Sequence, residues 1–158
     1  MFRNVTRFKQ VLSNEECIAI LKNELRGVLS VQGDDGYPYG MPMNHYYNEE
    51  DGKIYFHSGR VGHKVEAIRR NPKASFCVYN EGARENGNWY LTIRSVIVFG
   101  KIEIIEDRAK IYDIARKLSH KFTNDDDYIE HEVETSGPKT LMFALVPEHI
   151  TGKWVTER

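Results

Sequence analysis

The sequence predicts a mostly β protein: a small antiparallel barrel of about six strands with accessory helices. Three observations support this. Apolar runs rich in β-branched and aromatic residues recur at short spacing, among them "VLSVQ", "KIYFH", "ASFCVY" and "WYLTIRSVIVFGKIEII", as expected of strands joined by turns. Helical periodicity appears only in isolated segments, so helices interrupt the strands without alternating with them, which disfavours a parallel sheet. Gly100 lies inside the longest run, where a glycine marks a bulge or the close backbone approach of a strand curling to close a barrel.

Taken in order, "SNEE" at Ser13 to Glu16 is a capping box, since hydroxyl and carboxylate can satisfy free amides at a helix start. The helix is expected over residues 14 to 26, with Ile18, Leu21 and Leu25 as its buried stripe and Gly27 as a left-handed stop. "VLSVQ", the turn "GDDG" and "YPYGMPMNHYY" then form two strands, and Pro38 and Pro42, which lack amide donors, place the second at an edge or bulge. "NEEDGK" turns into the strand "KIYFH". "HKVEAIRRN" forms two helical turns that stop before Pro72. After "ASFCVY", the loop "NEGARENGN" leads into the long strand run, and Ile111, Ile114, Ala115, Leu118 and Phe122 mark a helix over 107 to 121. "TNDDDYIEHEVETSGP" is acidic and lacks a period, so a surface loop or frayed helix is expected. "TLMFALVP" and "HITGKWV" supply the final strands.

A length of 158 residues fits one domain, 1–158, with a core that needs no staples. Lys and Arg number 22 against 23 Asp and Glu, so no global field favours nucleic acid. Cys17 and Cys77 form no disulfide framework, and Cys77 in its apolar run reads as an inert thiol. No apolar stretch approaches the roughly 20 residues of a membrane helix, and "MFRNVTRFKQ" has no apolar leader core, so a cytoplasmic protein away from membranes is expected. His120, His131 and His149 lack metal-binding spacing, so no metal site is expected.

The chemistry concentrates in "YFHSGRVGHK", Tyr55 to Lys64. A strand ending at His57 feeds a glycine loop and then a helix near His63. The first amides of a helix lack internal partners and carry the positive end of its dipole, so they attract phosphate. Gly59 and Gly62 let the backbone turn, Ser58 offers a hydroxyl, and Arg60, His63 and Lys64 offer charge. The spacing is neither a Walker loop nor a dinucleotide fingerprint. The other reading of these ten residues is an exposed turn with solvated charges.

"YFHSGRVGHKVEAIRRNP" together with "RSVIVFGKIEII" resembles the pyridoxamine 5'-phosphate oxidase-like split-barrel family, and within it the nitroimidazole-resistance (Nim-type) branch. The resemblance implies a split β-barrel homodimer with FMN at the subunit interface. It places Ser58, His63 and Lys64 on the phosphate, His57 beside the ribityl chain or flavin, and the backbone of Met41, Pro42, Met43, Asn44 and His45 along the flavin edge. Ser95 stands where the family has a glutamine near the ring, and Arg94 is a further cofactor-binding candidate. The oxidase's substrate-phosphate residues are replaced by the acidic "TNDDDYIEHEVE", which would repel a phosphorylated pyridoxamine. Trp154 reads as a core residue or a cover for the flavin.

The implied activity is FMN-dependent reduction of a nitroaromatic or similar small molecule, with NAD(P)H or another reductant as donor. His57 is the expected catalytic residue, either supplying a proton or only hydrogen-bonding phosphate and backbone. The alternative is a non-catalytic module holding haem, deazaflavin F420 or a stored flavin on the same barrel.

Overall fold

Alternating apolar and small residues build one curled antiparallel sheet in the computed structural model, which describes residues 1–158. Its strands are β1 (Arg26–Gln32), β2 (Pro38–Asn44), β3 (Tyr46–Asn48), β4 (Lys53–Gly59), β5 (Lys73–Tyr79), β6 (Thr92–Ile105) and β7 (Thr140–Thr156). The spatial order is β2-β1-β5-β6-β7-β4-β3, and every ladder is antiparallel. Helices α1 (Asn14–Asn23), α2 (His63–Arg70), α3 (Arg108–Ser119) and α4 (Asp126–Ser136) attach to it. This is a split β-barrel with seven strands where the sequence suggested about six. The long strand-like segment after Pro38 breaks at His45, whose ring turns inward, and its two pieces become opposite edges of the sheet.

The curl has a local cause. Phe99 pairs with His149 but Gly100 pairs with Pro147, so Glu148 bulges out of β7. A Cβ on Gly100 would run into the Val146 carbonyl, so only glycine allows this approach. The two expected final strands are one strand bent at that bulge. Inside the curl, Phe56 meets Phe76 edge-on at 5.0 Å and stacks on Phe143 at 5.4 Å. All three are fully buried, each stabilising the fold by about 1.5–3 kcal/mol. Trp154 packs, half-buried, against this core. A second, smaller cluster of Tyr55, Ile114, Met142 and Ala144 lies where α3 covers the outer face of β4 and β7.

One helix boundary and one whole helix differ from expectation. Helix α1 has the anticipated capping box but ends at Asn23, where Glu24 turns extended while its amide still reaches the Ile20 carbonyl. Leu25 is therefore exposed. Gly27 is not a helix stop; it lies in β1, where a Cβ would sit 2.5 Å from the Cys77 carbonyl oxygen. The acidic segment after Thr123 is an ordered helix. The Asp125 carboxylate accepts from the Tyr128 amide at 3.0 Å, Ile129 and Val133 bury one turn apart, and Arg116 on α3 grips Glu130, with Nη2 2.9 Å from Oε2. Its two-residue apolar stripe was too narrow to register against so many carboxylates. No helix of the structure is long and apolar enough to cross a membrane.

Candidate functional site

The anion-directed stretch folds as a strand, a glycine loop and a helix. Strand β4 stays paired to β7 through Gly59 and Thr140. The chain then turns through Gly62, whose φ of +120° is open to glycine and strained for other residues. Gly62 precedes α2 without any side chain capping the helix, so the first amides of α2 point outward unpaired.

Beside them lies Lys64. Its Nζ sits 3.3 Å from the Met43 sulfur, a weak acceptor. Lys64 takes part in none of the chain's ion pairs. Burial lowers its pKa, as expected of an ammonium removed from water with no counter-charge. Uncapped amides and an uncompensated half-buried cation belong to the same first turn of α2, and each attracts an anion. A flavin phosphate fits these groups.

The other expected phosphate residues behave differently. The His63 ring stacks on Tyr39 with centroids 4.1 Å apart, and its Nε2 is 3.6 Å from an Asp34 carboxylate oxygen. That leaves its backbone amide as the group it offers an anion. The Ser58 hydroxyl donates to the Gly59 carbonyl at 2.8 Å and is free to rotate toward a ligand. Arg60 turns away from Lys64, its Nε donating to the Pro138 carbonyl at 3.2 Å.

His57 and Ser58 are adjacent within β4, so the period of two sends them to opposite faces of the sheet. His57 lines a cleft of about 250 Å³ beneath α3 and α4, with Ile111, Leu118, Ile129, Val133 and Met142 around it and Tyr128 and Glu132 at its polar side. Partial desolvation, and secondarily the charge of Lys64, lowers the His57 pKa, which favours the neutral ring even though the residue keeps an exposed edge. That reduces the standing pool of imidazolium and leaves a hydrogen-bond donor or proton acceptor.

Along β2, Met41 and Met43 point into the core, whereas Pro42 and Asn44 are exposed. Asn44 accepts from Arg26 Nε at 3.2 Å. The His45 ring is fully buried. Its Nε2 lies 2.7 Å from the Leu21 carbonyl, which can only accept, so that nitrogen carries the proton and Nδ1 is left without a partner. The His45 carbonyl accepts from Lys121 Nζ at 2.7 Å. Arg94 and Ser95 pair with Trp154 and Lys153 near the far end of β7, whereas His57 pairs with Met142. Within one protomer the structure therefore brings Lys64 onto Met43 and within electrostatic reach of His57, while the His63 ring goes to Tyr39 and Asp34 and Arg94 and Ser95 lie apart. Sequence reasoning missed Lys121, and it also missed Arg69 and Arg108, which approach Arg60 only in the fold. No spacing signal links residues so far apart in the chain. No group of three or more His, Cys, Asp or Glu side chains is placed to hold a metal.

A curled antiparallel sheet with a strand–glycine–helix segment between β4 and α2 has the architecture of the split-barrel proteins. The family model described as pyridoxamine 5'-phosphate oxidase matches residues 13–154, and the chain belongs to that family. Among solved structures it is similar to a candidate 5-nitroimidazole antibiotic resistance protein from Bacteroides thetaiotaomicron, at 21% identity over 92% of this chain and 87% of that one, with a TM-score of 0.74. A conserved hypothetical protein from Mycobacterium tuberculosis superposes with a TM-score of 0.80 at 20% identity, covering 95% and 90% of the two chains. An FAD-binding protein from Mesorhizobium loti gives a TM-score of 0.66 at 24% identity, covering 92% and 97%. No curated protein sequence matches.

Proposed function

We propose that the chain is an FMN-dependent oxidoreductase that reduces a small nitroaromatic compound. The observation that carries this reading is Lys64, half-buried without a counter-ion beside the uncapped start of α2. In this reading the amides of His63 and Lys64, the Lys64 ammonium and the Ser58 hydroxyl hold the FMN phosphate. The bound flavin supplies two-electron transfer. Neutral His57 donates a hydrogen bond to the acceptor in the apolar cleft, whose size suits one flat ring. The likeness to the Bacteroides 5-nitroimidazole resistance protein favours a nitroimidazole over other acceptors.

The working unit is a homodimer. The outer face of the sheet carries Pro42, Val28, Cys77, Ile97 and Thr151 in one cross-strand row, and Gly40, Ser30, Ser75, Phe99 and His149 in the next. These two rows carry no charged side chain, although Phe2 already stacks on Phe99 and His149 and Arg26, Lys73, Lys101 and Lys153 flank them; the uncovered stretch from Pro42 to Cys77 suits a two-fold partner. Ser95 alternates onto the same face as Ile97, where Arg3 to Thr6 of the same chain lie beside it.

Purified protein should be yellow, and NADPH or dithionite should bleach it. Lys64→Met should weaken FMN binding about 10- to 100-fold, the worth of a hydrogen bond to a charged group, as read by fluorescence titration of free FMN. A Soret band, or FMN affinity that ignores Lys64, would defeat the reading.

A further inference from the structure

A second cavity, of about 420 Å³, lies between the loop before α2, the end of β6, the start of α3 and the turn at residues 137–139. Three guanidinium groups line it, from Arg60, Arg69 and Arg108. Arg60 is tethered through Nε to the Pro138 carbonyl at 3.2 Å. Arg108 donates to the Tyr112 hydroxyl at 3.1 Å and lies 5.8 Å from the centre of that ring. Arg69 has no polar partner of this kind. Glu106 is the one carboxylate along the lining, and none of the three arginines takes part in an ion pair. The chain as a whole carries a net charge of −1, so this is a local concentration of positive charge.

The cavity adjoins the His57 cleft, with Ile111, Gly137, Thr140 and Met142 forming walls of both. One end of the combined space is apolar and sized for a flat ring; the other offers guanidinium forks, which match phosphate oxygens pairwise. One phosphate monoester would leave some of three separated guanidiniums unused, whereas a pyrophosphate engages several.

We infer that this paired cavity is the binding site of the reductant, a reduced nicotinamide dinucleotide, with its pyrophosphate on Arg69 and Arg108 and its ring in the cleft beside His57, which the nitro acceptor enters in its turn after the oxidised nicotinamide has left. The assignment of the occupant as electron donor rests on the flavin reading above; the anion groove does not.

The test measures binding of NADPH, NADH and inorganic pyrophosphate by calorimetry, together with FMN and FAD affinity, on the wild type and on Arg69→Ala, Arg108→Ala and the double variant. All substituted positions are exposed, and circular dichroism checks folding. Each single change should weaken NADPH and pyrophosphate about 5-fold and the double change about 25-fold at low salt, as expected for solvent-screened charge-assisted contacts. FMN affinity should stay within about twofold, because the arginines stand apart from the Lys64 cradle.

Unchanged NADPH and pyrophosphate affinity in the double variant, or no pyrophosphate binding by the wild type, overturns the inference. A loss confined to FAD overturns it in favour of the flavin's own adenylate tail, and an equal loss of FMN merges the groove with the cradle and overturns it too. A wild type that binds no FMN, yet binds pyrophosphate through these arginines, sinks the flavin reading while supporting the groove.

Discussion

Lys64 and Lys121 are both half-buried lysines whose pKa is lowered by burial, that of Lys121 to about 8, yet they do opposite work. Lys121 donates to the Glu24 carbonyl at 2.8 Å and the His45 carbonyl at 2.7 Å, tying the end of α1 to the kink between β2 and β3. Lys64 touches a thioether and no anion. A depressed pKa therefore marks desolvation in both places, and only the list of partners separates a structural cation from one waiting for a ligand.

The largest effect that would sharpen this contrast belongs to His45, on the structural side. Its pKa falls from 6.5 to about 4, chiefly through burial and then through the charge of Lys121. Below pH 6.5 the unfolded chain takes a proton that the folded chain refuses, so stability is full above that pH. It is lost as pH falls toward 4, by up to about 3 kcal/mol. Urea unfolding at pH 7.5 and 4.5 should show the loss, and His45→Gln should flatten it. Next, Lys121→Met leaves two carbonyls short of a donor and should destabilise the fold by about 2 kcal/mol while FMN affinity holds. The smallest effect is the most diagnostic: Lys64→Met should change the stability of the ligand-free protein by less than about 0.5 kcal/mol, because it removes an ammonium with nothing to lose. A large loss of stability on removing Lys64 would collapse the distinction.

Much of the molecule was legible because its signals are local. The capping box at Ser13, the α2 start after Gly62 and the edge prolines of β2 each follow from one residue's backbone chemistry within a few positions. Errors arose where a residue's role depends on a distant neighbour. Gly27 resembled a helix terminator because its reason for being glycine, the Cys77 carbonyl, is 50 positions away in the sequence. Helix α4 was hidden because its stability comes from α3, through Ile129, Val133 and Glu130. His57 and Ser58 looked like one site because they are adjacent in the chain, although adjacency within a strand sends side chains to opposite faces.

The sequence alone determined the antiparallel barrel, the glycine loop and the unsatisfied amides of α2, since these follow from dihedral freedom, hydrogen-bond inventory and hydrophobic period over short spans. Tertiary structure alone decided that Lys64 would lack a counter-charge while Lys121 has its carbonyls. It also decided that His57 faces an apolar cleft and that Arg60, Arg69 and Arg108 share one cavity. Electrostatic environment depends on which groups the folded chain brings within a few ångströms, and separation along the chain does not encode that.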